Sequence, residues 1–366
     1  MRRSLLALLF LLCPTLLGFG PPSLVESDDV RLPVGKPQLG VLALARLPIQ
    51  TSRASLIMDL ATGGVVFQRN ANARLAPASI TKIMTAIVVL EHADLQEKVT
   101  ALQEDMIEGS SMGLRPGDTL TVGQLLWGML LPSGNDAAYA LARHVGRGSQ
   151  AQFAQMMNDK ARELGLQDTQ FANPHGLDNP NHFSSAYDLA QISRYALRNP
   201  VFARVVATPE YTVQAGREFK LTNVNPLLFM ASSVPGVNGV KTGFTDHAAE
   251  SMVASIDRDG HKVLVVVLGS PDRVVAATAL INFAYGYFSW VSLPLPISLR
   301  GSPRGQLAPA FRAEVMVPRW QSSYVNYSVQ VGVIPQEGTF SGPVGVLTYS
   351  LAGQELSRLP LYVQQR

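Results

Sequence analysis

Apolar positions along this chain recur with two different periods, and the predicted element changes where the period changes. Residues 53–70, RASLIMDLATGGVVFQRN, hold two apolar, β-branched-rich runs around Thr62-Gly63-Gly64, which predicts a β-hairpin. From Ser79 the spacing turns helical. The stretch 119–146, TLTVGQLLWGMLLPSGNDAAYALARHVG, keeps helical spacing on both sides of a Pro132-Ser133-Gly134 break, so Ser133 to Asn135 belong in a turn between two helices. AQFAQMMNDKARELGL (151–166) is another amphipathic helix, closed by Gly165. ANPHGLDNPNHFSSAYDLAQISRYAL (172–197) reads as a polar Asn/Pro/Gly loop entering a helix, with Ser184-Ser185 as its cap.

Strands dominate afterwards. GVNGVKTGFT (236–245), AESMVASIDRDG (249–260) and HKVLVVVLGS (261–270) follow one another, the last two joined at Asp259-Gly260. RVVAATALINFAYGYF (273–288) predicts a helix packed back on that sheet. The Pro- and Gly-rich passage 292–309 looks like a domain boundary, and the short alternating runs of 310–366 predict a small antiparallel β-sandwich. No internal repeat is visible.

Composition narrows the class. Of 366 residues 47% are hydrophobic and 16% charged, a globular balance on a chain long enough for two domains. The formal net charge of +3 includes Arg2 and Arg3, and the Lys/Arg runs never exceed a pair, which argues against a nucleic-acid partner. That basic start precedes an apolar run from Leu5 to about Phe19, the form of a secretory leader and too short for a comfortable membrane span. We place the leader at 1–26 and expect an exported protein. Cys13 is the single cysteine, so a processed chain has no thiol or disulfide chemistry.

Three short motifs carry the candidate chemistry. Ser79-Ile80-Thr81-Lys82 puts a hydroxyl and an amine three residues apart, on one face of a helix start. A serine needs a neighbouring base, and a lysine serves as one only where burial or a second cation disfavours its ammonium form. Ile80, Ile83, Met84 and Ile87 supply the apolar surroundings. Ser133-Gly134-Asn135 offers a hydroxyl and a carboxamide on a turn, and Lys241-Thr242-Gly243 offers a cation on a strand with a missing side chain for close approach. Each motif alone is more often a capping turn or a protected edge strand. S-x-x-K, S-x-N and K-T-G occur once each, in that order, 54 and then 108 residues apart, and the joint reading wins. His175 and Asp178 in NPHGLD read as turn and capping side chains, and the six histidines form no metal-binding pattern.

This constellation resembles the serine penicillin-recognising enzymes, and most closely their low-molecular-mass branch, the D-alanyl-D-alanine carboxypeptidases. The resemblance runs from about 50 to 290 and more weakly through the tail. It implies an α/β (α+β) catalytic domain at 27–291, with a central antiparallel sheet and a helical subdomain, followed by a small all-β sandwich domain at 292–366. It further implies catalytic roles for Ser79, Lys82 and Ser133, and substrate binding by Asn135, Lys241, Thr242, Gly243 and Phe244, with no metal and no cofactor. The implied substrate is a peptidoglycan stem peptide ending in D-Ala-D-Ala, with β-lactams as covalent inhibitors. The implied location is the periplasm, with peripheral association with the inner membrane. Phe244 and Ala249 depart from the residues frequent in relatives, and the chain ends at LPLYVQQR without the amphipathic helix many relatives carry. A β-lactamase, a DD-endopeptidase and a non-catalytic wall-binding scaffold are the competing readings. The first is disfavoured because no E-x-x-L-N stretch lies between 136 and 240.

Overall fold

The fold is described from a computed structural model, which covers residues 51–292, 297–298, 306–309, 314–331, 343–351 and 353–363. The predicted leader, with Cys13, lies outside the described residues.

The first hairpin forms as its pattern requires. β1 (Ala54–Asp59) pairs antiparallel with β2 (Val65–Arg69), and the Asp59 carboxylate anchors the turn by accepting from the Thr62 amide and hydroxyl. β1 also pairs with β9 (His261–Ser270), which pairs with β8 (Glu250–Arg258), which pairs with β7 (Val237–Gly243). The sheet order β2-β1-β9-β8-β7 leaves β7 as an edge strand. Strands β8 and β9 are apolar almost throughout because both faces of this sheet are covered. Leu56, Val253, Leu264 and Val266 enter a core shared with the helical body, while Ile57, Met252, Val263 and Val265 point to the other side.

That second face is covered by α7 (Arg273–Tyr287), whose N-terminus is capped by Asp272 accepting from the Val274 and Val275 amides. On the first face lie α1 (Lys82–His92), α2 (Val122–Leu130), α3 (Asn135–Val145), α4 (Gln150–Glu163), α5 (Ala186–Ala196) and α6 (Pro200–Val206). Buried Ala and Leu side chains of α3 and α5 let these helices approach closely around α1. Ser185 caps α5 by accepting from the Asp188 amide, in line with the predicted cap.

Two pairings lie outside the expected pattern. β3 (Lys98–Thr100) pairs with β4 (Thr119–Thr121), and β5 (Glu210–Ala215) with β6 (Arg217–Thr222), and both edge the helical body. After α7, β10 (Phe288–Ser292) pairs with β13 (Glu314–Pro318), beside a five-stranded sheet. That sheet has the order β11 (Ile297–Ser298), β12 (Gln306–Pro309), β16 (Gln354–Val363), β15 (Gly345–Leu351), β14 (Val325–Val331). Val315 and Val317 from the pair meet Leu307, Leu347, Tyr349 and Leu361 from the sheet, the sandwich core that the alternating tail required. Strands inside 292–309 belong to this β unit, so the passage read as a boundary contributes structure of its own.

Candidate active site

The helix carrying the first motif begins later than its pattern suggests. Ala78–Thr81 form a 3-10 turn and α1 starts at Lys82, so Ser79 stands ahead of the α-helix and not in its first turn. Residues i and i+3 eclipse in a 3-10 turn, so the amine still reaches the hydroxyl. Lys82 Nζ lies 2.9 Å from Ser79 Oγ, 2.7 Å from Asn135 Oδ1 and 2.7 Å from the His175 carbonyl oxygen. Lys82 is fully buried. Burial first, and the neighbouring Lys241 charge second, hold its pKa well below the usual lysine value, while Asp136 pulls the other way. Ser79 itself is only half-buried and remains reachable.

The second motif sits on the α2–α3 connection, as its helix-breaking residues require. Ser133 is 4% exposed and adopts φ +64°, a left-handed conformation that a non-glycine residue holds only under constraint. Its Oγ is buried without a protein hydrogen-bond partner, a costly state for a hydroxyl that has no task. Asn135 opens α3 and is tied on every side. Its amide donates to the Ser110 carbonyl at 2.7 Å and its Nδ2 to the Glu108 carbonyl at 2.6 Å, while Oδ1 accepts from Lys82.

Asp136 was not singled out from the sequence, yet it organises the segment 108–114 above Asn135. Its carboxylate accepts from the Ser111 hydroxyl at 2.5 Å and from the amides of Met112, Gly113 and Leu114 at 3.0–3.1 Å. The Ala137 amide adds a contact at 2.8 Å. Nothing in the local pattern distinguishes this aspartate from an ordinary acidic residue in a first helical turn.

The third motif forms the opposite wall. Lys241 is 1% exposed on β7, with Nζ donating to the Thr242 carbonyl at 3.0 Å. Burial, helped by the Arg273 charge, lowers its pKa to about 7. Thr242 is likewise buried, and Gly243 ends the strand against the nucleophile turn. A Cβ on Gly243 would stand 3.0 Å from the Ala78 Cβ and 3.1 Å from the Ser79 amide nitrogen, so only glycine fits without displacement. Phe244 follows the strand and is 59% exposed. Arg273, also not anticipated, donates from Nη1 to the Gly243 carbonyl at 3.2 Å. A cation opening a helix, where the dipole favours anions, was the signal that could have marked it.

The floor is the loop 173–178, where the His175 side chain makes the expected local turn contact while Asp178 reaches across to Thr245. His175 Nδ1 accepts from the Leu177 amide, and Asp178 Oδ1 accepts from Thr245 Oγ1 at 2.8 Å. The loop reaches Lys82 through its backbone. Besides the His175 carbonyl, the Pro174 carbonyl accepts from Thr85 Oγ1 at 2.6 Å on α1. Gly176, at φ +94°, lies so close to the Ala78 carbonyl that a Cβ would overlap it. Burial lowers the pKa of His175 to about 3 and of His182 to about 4, so both rings are neutral near pH 7. His182 Nδ1 accepts from the Ala172 amide, which leaves Nε2 to donate to Thr81 Oγ1 at 2.7 Å. No group of three or more His, Cys, Asp or Glu able to hold a metal occurs among the described residues.

Lys82 thus contacts both Ser79 and Asn135, with Gly243 packed on the serine turn. Lys241 and Thr242 line the adjoining strand and Ser133 the connection above. Such a set places an alcohol beside a buried amine of lowered basicity, where it can be presented to an acyl group.

Comparison with known proteins gives a consistent result. Residues 44–272 match a family described as D-alanyl-D-alanine carboxypeptidase. D-alanyl-D-alanine carboxypeptidase DacF of Bacillus subtilis is 36% identical over 248 residues, 65% of this chain and 63% of that protein. The chain therefore spans slightly under two thirds of that relative. D-alanyl-D-alanine carboxypeptidase DacC of Escherichia coli is 32% identical over 349 residues, 87% of this chain and 84% of that protein. Among solved structures, penicillin binding protein 5 from Haemophilus influenzae superposes with a TM-score of 0.71 at 26% identity, covering 87% of this chain and 98% of that one.

Proposed function

The chain belongs to the D-alanyl-D-alanine carboxypeptidase family of serine peptidases, and from that premise we propose how its site performs the reaction. The protein is a serine D-Ala-D-Ala carboxypeptidase. It removes the terminal D-alanine from peptidoglycan stem peptides through an acyl-enzyme on Ser79, and it binds penicillins covalently at the same serine. The observation that carries this reading is the environment of Lys82.

A neutral amine has two N–H groups and one lone pair. Asn135 Oδ1 and the His175 carbonyl, both at 2.7 Å, take the two N–H groups and leave the lone pair for the Ser79 hydroxyl at 2.9 Å. Lys82 accepts the Ser79 proton as Oγ attacks the carbonyl of the penultimate D-alanine. The amides of Ser79 and Phe244, on either side of the Gly243 contact, receive the oxyanion, each donor contributing on the order of 3 kcal/mol. Ser133, whose buried hydroxyl has no protein partner, relays the proton to the departing D-alanine. Lys241 and Thr242 hold the terminal carboxylate. That carboxylate restores full charge to an ammonium whose pKa burial has lowered to about 7. Water then hydrolyses the ester.

Two nearby carboxylates are engaged elsewhere, Asp136 by the 111–114 segment and Asp178 by Thr245. Asp136, held by the Ser111 hydroxyl and four amides, is not free to activate water against a β-lactam ester, which favours a long-lived penicillin adduct over β-lactamase turnover. We further propose domains at 27–291 and 292–366, export by the leader and action in the periplasm at the inner membrane. The leader-like N-terminus supports export, and no helix among the described residues is long and apolar enough to cross a membrane.

The test is direct. A pentapeptide ending in D-Ala-D-Ala should release D-alanine, and a fluorescent penicillin should label the wild type but not Ser79→Ala. Equal labelling of both proteins removes Ser79 from the mechanism.

A further inference from the structure

β7 sets a direction for the substrate. With the terminal carboxylate at Lys241 and Thr242, and the scissile carbonyl at Ser79 opposite Gly243, the acyl side of the peptide continues past residues 244–247, beyond the end of an edge strand that no further strand covers among the described residues. A cleft of about 650 Å³ lies there, between loop residues 178–183, the segment 74–76 before the nucleophile turn, and Arg53 with His247. Ala76 stands on its wall, three residues before Ser79, and so does Asp178, which Thr245 ties to the β7 side.

The cleft is lined by two guanidiniums, Arg53 and Arg74, and one carboxylate, Asp178. Arg53 is exposed, its Nη1 is fixed by the His247 carbonyl at 3.1 Å, and it has no carboxylate partner among the described residues. Arg74 spends Nε on Asp168 and lies over the Phe183 ring at 5.1 Å, which holds its guanidinium at the cleft wall. The one carboxylate among the lining residues, Asp178, keeps its charge while accepting from Thr245, and it forms no ion pair with Arg53 among the described residues.

We propose that this cleft is a subsite for an acidic group on the acyl side of the substrate, read chiefly by Arg53. The inference rests on the carboxypeptidase reading and adds to it a charge preference at one place. A guanidinium held by its own backbone contact is pre-organised, so a carboxylate pairs with it at reduced entropic cost. Because the site is open to water, the preference it confers is modest, about three- to fivefold in kcat/KM for one such pair.

Four peptides test it: acetyl-X-D-Ala-D-Ala and acetyl-X-Ala-D-Ala-D-Ala, each with X as glutamate or glutamine. Released D-alanine is measured in the wild type, Arg53→Gln and Arg53→Glu. The glutamate peptide of at least one length should be preferred by the wild type, equalised in Arg53→Gln and disfavoured in Arg53→Glu. Glutamine peptides and penicillin labelling should stay unchanged in both variants. Cleavage of all four peptides at equal kcat/KM by the wild type, or a preference that survives Arg53→Glu, overturns the subsite alone. No D-alanine from any peptide overturns the carboxypeptidase reading, and the subsite with it.

Discussion

Asp136→Asn isolates the segment above the site from the chemistry below it. In the native protein one buried carboxylate receives five donors: the Ser111 hydroxyl and the amides of Met112, Gly113, Leu114 and Ala137. Asparagine keeps one oxygen, enough for Met112 and Ala137 on the Oδ1 side. Its NH2 then faces three donors, from Ser111, Gly113 and Leu114. A hydrogen bond to a charged group contributes about 1.5–3 kcal/mol, and a buried donor left unpaired costs about 1–3 kcal/mol. Loss of three such bonds, softened by water reaching Ser111 and Gly113, comes to about 3–5 kcal/mol on the closed position of 108–114. The carbonyls of Glu108 and Ser110 then cease to hold Asn135, and Asn135 ceases to aim the Lys82 amine.

We expect penicillin acylation and kcat/KM for a D-Ala-D-Ala peptide to fall about a hundredfold, while the far-UV signal and the sheet remain. Amide exchange of Met112, Gly113 and Leu114, slow in the wild type, should accelerate selectively. The acid limb of the pH profile should also move downward, because the Asp136 charge raises the Lys82 pKa. Protected 112–114 amides together with acylation within about twofold of wild type would refute the argument that this carboxylate positions the site.

Two pH predictions follow from the buried cations and imidazoles. Lys241 loses its proton near pH 7 in the free enzyme, so kcat/KM should decline above that pH. Lys241→Arg, which stays charged, should move the alkaline limb upward even if the rate drops, and an unmoved limb assigns it to another group. His175 and His182, with folded values of about 3 and about 4 against an ordinary 6.5, are neutral when folded. In the unfolded chain they protonate below about 6.5, so their contribution to stability is complete above that pH and is lost as pH falls towards 3–4. Around pH 5 the slope of unfolding free energy should carry about 2.7 kcal/mol per pH unit from this pair, and His182→Gln should halve it in urea titrations.

Much of the architecture was written locally. The near-continuous apolar runs of β1, β8 and β9 report strands covered on both faces, and reading them needs only neighbouring residues. Caps such as Ser185 act within three residues, so they too are readable from the chain. The pairs β3–β4 and β5–β6 escaped because three- to six-residue strands at the margin of a helical body carry little periodic signal. Among the motifs, Ser79 and Lys82 were legible as partners because three residues separate them, although the turn that joins them is 3-10 and not α.

The amino-acid order alone determined which groups were available: one serine beside one lysine, a hydroxyl and carboxamide on a helix break, a cation ahead of a glycine. Only the tertiary structure decided what each would be. Lys82 becomes a base because Asn135, 53 residues away, and the His175 carbonyl, 93 away, close around it. Lys241 becomes a weakened cation because packing buries it and, secondarily, because α7 brings the Arg273 charge near it. Asp136 becomes an anchor because a loop 22 to 25 residues earlier folds onto it. Acidity and orientation depend on desolvation and on charges within a few ångströms, and those neighbours are set by chain packing across distances that local periodicity does not encode.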